Sequence, residues 1–318
     1  MSGLTAADFA SFVAEVHNGR RPFPWQSALV ESVLGTGAWP EELDIPTGLG
    51  KTSVLDVAVF TAAANREAAL RRMFFVVDRK LIVDQAHDHA TTITTALAMP
   101  DKHGPVCGKV AQALRLIDDD APAPLSVTRM RGGITWDRMW VDRPDRYAIV
   151  TGTVDQIGSR ALFRGYGLTE RARPIDAALV GCDSLIIIDE AHLSSAFATT
   201  LRAAIDIEPA RLRTTPIVVS MSATTTPGTG NVHGITDADR ANPIAAARLA
   251  AAKTMHLVSV PTNKDSAAAD MATAMAELAA SQAAAARVTL VVANTVDRAR
   301  RTFDILKTNK GADVVLWT

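Results

Sequence analysis

Cysteine, aromatic residues and net charge are all scarce in this sequence. Two of the 318 residues are cysteine, and Cys107 and Cys182 lack the paired spacing of a metal site. Aromatic residues make up 5% of the chain, and 33 basic against 34 acidic residues leave a net charge of −1. These scarcities exclude a disulfide-rich scaffold and an overall basic protein, so any nucleic-acid site must be a local patch.

Long apolar runs are also missing. The stretch "AALVGCDSLIIID" is shorter than the roughly 20 residues of a membrane helix and contains polar residues. The N-terminal stretch "MSGLTAADFASFVAEV" is acidic and amphipathic, without the basic and apolar parts of a secretory leader. We therefore expect a reduced, cytoplasmic protein with no membrane partner.

Short apolar runs alternate with longer helical patterns along the chain. The runs span residues 43–45, 73–77, 147–152, 185–188 and 217–220. Continuous apolar strands separated by helices are typical of a parallel sheet that is covered on both faces. The sequence therefore predicts the α/β class, with a mostly parallel sheet whose carboxyl edge carries the ligand-binding loops.

The length allows one large domain or two medium domains. We predict a first domain over 1–261, with a partly ordered excursion at 99–146 and a loop at 225–245, where turn-forming residues are frequent. An Ala-rich helical linker follows at 262–286. The strand-turn-helix pattern of 287–318 predicts the beginning of a second α/β domain, which is incomplete because a typical domain has about 100 to 150 residues.

The stretch "IPTGLGKTS" follows the first predicted strand and nearly matches a phosphate-binding P-loop. Ile45 replaces the first glycine of G-x-x-x-x-G-K-[ST], whereas Gly50, Lys51 and Thr52 fit. Lys51 is expected to reach the β- and γ-phosphates of ATP, and Thr52 to ligate Mg²⁺. The residues expected to hold the phosphates are Thr47, Gly48, Leu49, Gly50 and Lys51. The alternative is an ordinary strand-to-helix turn with a chance Gly-Lys-Thr.

The stretch "LIIIDEAH" delivers two acidic residues at the end of an apolar strand. Asp189 is expected to bind Mg²⁺ through its waters, and Glu190 to orient or deprotonate the attacking water. Alone, the pair could be a solvated helix N-cap. Together with the P-loop, it indicates hydrolysis of a nucleotide.

In this order, "PTGLGKT", "DEAH" and "SAT" resemble motifs I, II and III of superfamily 2 helicases, whose domains are RecA-like P-loop NTPases. The resemblance implies that hydrolysis is coupled to nucleic-acid binding through His192, Ser222, Ala223 and Thr224. It also implies that Gln26, in "FPWQ", reads the edge of the adenine. Trp25 could pack on the adenine ring or lie in the core.

A finer resemblance is to the CRISPR-associated helicase of type I systems, carried by "VVDRKLIVDQA", "GTVDQIGSR", "FRGYG" and "DEAHLSSAF". It implies an antiviral motor that acts on single-stranded DNA and is recruited by a crRNA-guided surveillance complex. The residues that it assigns to nucleic-acid contacts are Arg79, Thr153, Asp155, Gln156, Asn294 and Thr295. Arg79 could instead be a solvated loop charge, and Thr153 with Asp155 a strand-end turn.

Members of that family also use an HD nuclease, which we do not expect in this chain. The triplet His87, Asp88 and His89 follows a helical pattern and is expected to be a solvent-facing helix segment. Without a complete second domain and its arginine fingers, we expect weak ATP hydrolysis and no unwinding. The alternatives are a general DEAH-type DNA or RNA helicase fragment and a non-catalytic nucleotide-binding interaction module.

Overall fold

The computed structural model describes residues 3–115, 122–131, 137–207, 214–223, 230–252, 255–283, 288–309 and 313–316. The chain divides into two compact units, Met1–Ala251 and Ala252–Thr318. Among the helices described, none has the length and apolarity needed to cross a membrane.

A seven-stranded sheet forms the centre of the first unit. Its strands are β1 (Glu42–Asp44), β2 (Arg72–Val77), β3 (Leu125–Met130), β4 (Tyr147–Thr153), β5 (Ser184–Asp189), β6 (Ile217–Ser222) and β7 (Val232–Gly234). The spatial order is β3-β4-β2-β5-β6-β1-β7, and every neighbouring pair is parallel. The predicted α/β class is confirmed, and all carboxyl ends of the strands meet at one edge.

Helices cover both faces of this sheet. They are α1 (Phe9–Val16), α2 (Pro24–Thr36), α3 (Val54–Ala64), α4 (Lys80–Ala98), α5 (Pro100–His103), α6 (Pro105–Leu114), α7 (Met139–Asp142), α8 (Val154–Ala161), α9 (Arg173–Val180), α10 (Ser195–Ile207), α11 (Asp237–Ala241) and α12 (Pro243–Leu249). Short 3₁₀ turns lie at Ala6–Asp8, Lys51–Ser53 and Ala191–Leu193.

The apolar runs are continuous because the central strands are buried on both faces. In β2, Phe75 packs into the larger core cluster, which includes α1, α2, α3, α4 and α6. The adjacent Phe74 packs into a second cluster, which includes side chains of α8 and α10. Successive strand residues point to opposite faces, so a strand without a solvent face has no polar alternation.

Much of the stretch 99–146, which was predicted to be a partly ordered excursion, has regular secondary structure. Helices α5, α6 and α7 and strand β3 lie within it, and β3 pairs with β4 from Leu125↔Tyr147 to Met130↔Gly152. The apolar pattern did not reveal this strand because it is an edge strand with only half of its side chains fully buried, so it lacks a continuous apolar run. Residues 116–121 and 132–136 of that stretch lie outside the described structure.

The predicted loop at 225–245 is also partly regular. Strand β7 and helix α11 lie within it, and α12 begins there. Helix α11 starts at a capping box between Thr236 and Asp239, and Asn242 caps α12 before Pro243. These are helix-start signals, which a reading by turn-forming composition alone passes over.

The second unit contains α13 (Ala267–Ala283) and α14 (Val296–Asn309), which share a small core of Ala276, Ala279 and Leu306. The strand expected near residue 288 does not form within the described residues, where 288–293 have no ladder partner. A strand is defined by pairing with a neighbour, which a local apolar pattern cannot supply. That a second RecA-like domain begins here stays a prediction.

A buried ion-pair network fixes α8 against α9. The Arg160 guanidinium is 1% exposed, and its Nε donates to Asp176 at 3.1 Å. Asp176 also accepts from Arg138 at 2.9 Å, and Arg160 donates to the Gln156 side chain at 2.9 Å. The helix that follows β4 is therefore held in place by charges that all have partners.

Replacing Asp176 with alanine leaves the Arg160 guanidinium buried without an anionic partner. We expect Asp176→Ala to lower the free energy of unfolding by about 3–5 kcal/mol, measured by urea denaturation. Asp237 provides the matched control, because its pair with Arg240 is exposed. Asp237→Ala should cost at most about 1 kcal/mol, and equal losses for the two variants would contradict the assignment.

Candidate active site at the carboxyl edge of the sheet

The loop after β1 has the backbone of a phosphate-binding turn. Gly48 and Gly50 have φ angles of +88° and +72°, which side chains with a Cβ rarely adopt. A Cβ on Gly50 would also lie 3.2 Å from Gln26 Nε2. Ile45, which replaces the usual first glycine, is fully buried in the core, so the departure from the pattern lies outside the turn itself.

An ion pair joins this loop to the acidic residues after β5. Lys51 Nζ lies 2.7 Å from Glu190 Oε1, although 139 residues separate them. Lys51 is only 9% exposed, and the Glu190 backbone has a φ of +48°. Because β6 lies between β5 and β1, the side chains reach across the end of one strand. The predicted phosphate loop and acidic pair therefore lie in one site.

Asp189 lies beside this pair at the end of β5. Its Oδ1 accepts a hydrogen bond from the Glu190 backbone N–H at 3.0 Å. Burial raises the pKa of Asp189 to about 6, against the opposing effect of Lys51 and with a further increase from Glu190. Thr52 is half-buried in the next position after Lys51. The Thr52 hydroxyl and the Asp189 carboxylate are hard oxygen ligands, which suit Mg²⁺.

A second contact links the acidic stretch to the end of β6. His192 Nδ1 and Ser222 Oγ are 3.0 Å apart, and the same nitrogen lies 3.5 Å from Glu190 Oε2. Ser222 ends β6, and Ala223 follows it. Thr224, the last of the predicted coupling residues, lies outside the described residues. Two of the predicted coupling residues, His192 and Ser222, are thus in direct contact.

The side chains predicted to read adenine are engaged with the backbone. Gln26 Oε1 accepts from the Phe23 N–H at 2.9 Å, and Gln26 Nε2 donates to the Gly50 carbonyl at 3.1 Å. Trp25 is fully buried, and its indole N–H donates to the Leu49 carbonyl at 2.9 Å. Of the two roles considered for Trp25, burial in the core is the one observed. Both residues brace the phosphate loop.

Sequence reasoning missed one residue at this site. Arg248, on α12, donates to the Gly48 carbonyl and lies 5.6 Å above the Phe23 ring. It is 200 residues from Gly48 and belongs to no motif, so no local pattern predicts its place at this site. The guanidinium adds a positive charge next to the phosphate loop.

The predicted nucleic-acid residues of the first unit follow adjacent strands. Val77 and Thr153 are register partners in β2 and β4, and Arg79 is exposed just after β2. Asp155 is exposed, whereas Gln156 is buried and its side-chain oxygen accepts from Arg160.

Two further observations bear on the predicted contacts. Thr153, the last residue of β4, is the N-cap of α8, and its side chain accepts a hydrogen bond from the Gln156 N–H. In the second unit, Asn294 and Thr295 accept hydrogen bonds from Arg298 at the start of α14.

The raised pKa of Asp189 has a consequence for stability without nucleotide or metal. The folded state holds this proton more tightly than the unfolded state, so stability falls as pH rises from about 4 to 6. We expect Asp189→Asn to raise the free energy of unfolding above pH 6 by about 1–2 kcal/mol, allowing for partial exposure. Urea denaturation between pH 4.5 and 7.5 measures this. Exposed Asp88→Asn is the control, and equal stability of Asp189→Asn and wild type at pH 7.5 would contradict the prediction.

Comparisons with known proteins agree with this geometry. A family model, "Type III restriction enzyme, res subunit", matches residues 22–226. The matched range contains the phosphate loop, the acidic pair and the end of β6. No curated protein sequence matches the chain.

Several solved structures are similar to this one. The Mycobacterium smegmatis helicase Lhr, bound to ssDNA and AMP-PNP, gives a TM-score of 0.56 at 19% identity, covering 96% of this chain and 37% of Lhr. The UvsW helicase of Bacteriophage T4 gives a TM-score of 0.38 at 14% identity, covering 70% of this chain and 61% of UvsW. The yeast DEAD-box splicing factor Prp28 gives a TM-score of 0.45 at 12% identity, covering 95% of this chain and 68% of Prp28. The chain thus spans little more than a third of the length of Lhr.

The similarity to Lhr supports the RecA-like fold, and the family match rests on more than half of the chain. Within the matched range, Lys51 meets Glu190 and His192 meets Ser222. The chain therefore belongs to the family of the type III restriction enzyme res subunit, and its first unit has the RecA-like fold of a P-loop NTPase domain.

Proposed function

We propose that this chain is the ATP-binding motor part of a DNA helicase or translocase that acts on single-stranded DNA in a type I CRISPR antiviral system. Its partner in this proposal is a crRNA-guided surveillance complex, which recruits the motor to invading DNA. The coarser function, an ATP-dependent nucleic-acid motor domain, follows from the family. The observation that carries the proposal is the contact between Lys51 and Glu190.

Nucleotide binding at this site begins with an exchange of partners on Lys51. The Glu190 carboxylate neutralises the Lys51 ammonium at 2.7 Å. A phosphate oxygen that takes this place releases the carboxylate, which is then able to orient or deprotonate a water molecule. The same lysine thereby keeps the base engaged until a substrate arrives.

The backbone of the loop supplies the other phosphate contacts. N–H groups from Thr47 to Lys51 and the N-terminal end of the following helix favour negative charge. Mg²⁺, which Thr52 and Asp189 would hold, supplies neutralisation of phosphate charge when bound. At neutral pH, Asp189 with a pKa of about 6 is mostly ionised and able to serve as a ligand.

Coupling to nucleic acid rests on the contact between His192 and Ser222. Glu190 lies 3.5 Å from His192, which in turn contacts Ser222 at 3.0 Å, so the three side chains form a chain from the base to the end of β6. A rearrangement at the end of β6 would therefore move His192 and change its contact with Glu190. A chain of this kind supports a motor in which turnover depends on the bound strand.

The DNA substrate and the CRISPR role are supported by the "GTVDQIGSR" and "FRGYG" stretches. Arg79 and the N-terminus of α8 follow neighbouring strands, where phosphate contacts do not depend on base identity. The Lhr structure, which shares the fold, contains ssDNA and AMP-PNP. These observations favour a translocating motor over a reader of sequence.

Substitutions at the ion pair separate binding from turnover. We expect Lys51→Ala to abolish measurable ATP binding, because it removes the cation that faces the phosphates. Glu190→Gln should bind ATP at least as tightly as wild type, since Lys51 is released, while turnover falls by about 10²- to 10⁴-fold. A nucleotide thermal shift and a phosphate-release assay measure the two effects.

Lys102→Ala, at an exposed lysine away from the loop, is the control and should match wild type in both assays. Unchanged ATP affinity of Lys51→Ala would overturn the assignment of the phosphate loop. Stabilisation of the wild type by ATP and Mg²⁺ without any phosphate release would favour a non-catalytic nucleotide-binding module.

The predicted phosphate contact of Arg79 is testable by salt dependence. We expect Arg79→Ala to weaken binding of single-stranded DNA and to reduce the slope of log affinity against log salt by about 0.7. Arg66, exposed in the loop before β2 and thus at the opposite edge of the sheet, is the matched control. An Arg79→Ala slope equal to that of Arg66→Ala would reject the contact. Gel shifts at one fixed salt concentration with DNA and RNA of one sequence distinguish the proposal from a general RNA helicase.

A further inference from the structure

A second polar cluster lies away from the phosphate loop and involves three residues that are far apart in sequence. Asp56 lies in the first turn of α3, His17 directly follows α1, and His89 lies on α4. His17 Nε2 is 2.8 Å from Asp56 Oδ1, and His89 Nε2 is 2.7 Å from Asp56 Oδ2. The two imidazole rings stack with centroids 4.8 Å apart. Each carboxylate oxygen thus faces one ring nitrogen.

Within the part of the chain that the structure describes, the carboxylate at the centre of this cluster has no lysine or arginine beside it. Asp56 is fully buried, and no described lysine or arginine forms an ion pair with it. A buried carboxylate needs hydrogen-bond partners for both of its oxygens, and the two imidazoles provide them.

We propose that His17, Asp56 and His89 form a binding site for a divalent transition metal, with Zn²⁺ as the ion that fits best. One atom from each residue is available as a ligand, and the three atoms all lie within 4.8 Å of one another. Two imidazole nitrogens and one carboxylate oxygen are a set that zinc accepts, with water in the fourth position. This proposal is independent of the function proposed for the phosphate loop.

The geometry allows the ion to enter. The side chains of His17 and His89 are 12% and 16% exposed, so the cluster is reachable from solvent although Asp56 is not. Each imidazole binds the metal through Nε2, the nitrogen that faces Asp56, when that nitrogen carries no proton. The nitrogen ligands favour zinc over magnesium, which prefers an all-oxygen set.

A metal ion at this site would connect three helical segments of the first unit. Helix α3 begins directly after the phosphate loop, and α4 begins directly after Arg79. An ion held by both helices and by the end of α1 would fix the supports of the two predicted functional loops. The expected effect is therefore on stability rather than on a chemical step.

The sequence alone did not predict this cluster. The triplet at residues 87–89 was expected to face solvent, which holds for Asp88 at 82% exposure. It is wrong for His89, which turns inwards to Asp56. One histidine of the triplet belongs to the cluster, and its partners come from two other helical segments, so no local spacing marks the site.

Zinc binding to the metal-stripped 318-residue chain tests the proposal. We expect saturable binding of one Zn²⁺ in a competition titration against a chromogenic chelator, and a higher melting temperature in its presence. His17→Gln and His89→Gln keep a hydrogen-bond donor for Asp56, and each should lose at least about tenfold in affinity, since even outer-shell changes cost 10- to 100-fold. In both variants the rise in melting temperature should disappear.

Two controls make the result specific. His87→Gln, on the same helix but outside the cluster, should bind zinc as wild type does. Lys51→Ala should also retain zinc binding, so a failed phosphate-loop assignment cannot be confused with a failed metal site. If the glutamine variants do not fold, zinc X-ray absorption of the wild type must show a nitrogen and oxygen shell with imidazole scattering. No saturable binding, undiminished binding in His17→Gln and His89→Gln, or a shell without imidazole would overturn the proposal.

Discussion

The contact between Lys51 and Glu190 is the interaction on which the rest of the site depends. It exists because β5, β6 and β1 are adjacent and parallel, so that their carboxyl ends converge on one edge. Two charges that are far apart in sequence thereby form an ion pair between a nearly buried lysine and a partly exposed glutamate. Each is poised for a different partner, since the lysine suits a phosphate oxygen and the glutamate suits a water molecule.

An irregular loop next to a core needs partners for its backbone groups, and distant segments provide them here. Trp25 and Gln26 of α2 donate to the Leu49 and Gly50 carbonyls. The start of α2 is itself held, because Asp239 accepts from the Trp25 N–H at 3.0 Å. The two glycine conformations of the loop are thus supported by residues on both sides of it in the sequence. Contacts that hold a loop in one conformation lower the entropic cost of binding a ligand there.

Three fully buried carboxylates of the first unit all have hydrogen-bond partners, but the partners differ in kind. Asp176 is matched by two arginines, Asp239 by backbone and hydroxyl donors, and Asp56 by two histidines. The first two arrangements complete the hydrogen bonding of a charged acceptor. The histidine pair is the arrangement that is also suited to a metal, because its donors are themselves ligands. Near-zero net charge therefore conceals strongly charged local sites.

The sequence by itself determined the elements whose signals are local. The five apolar runs became strands because strands buried on two faces need continuous apolar residues, and the two short motifs lie where a parallel sheet puts its loops. Only the tertiary structure decided the pairing of β3 with β4, the engagement of Gln26 with Gly50, the approach of Arg248 to Gly48, and the meeting of His17 with Asp56 and His89. Each of these depends on chain segments far apart in sequence, whose mutual approach is set by the packing of the whole sheet and its helices rather than by any local pattern.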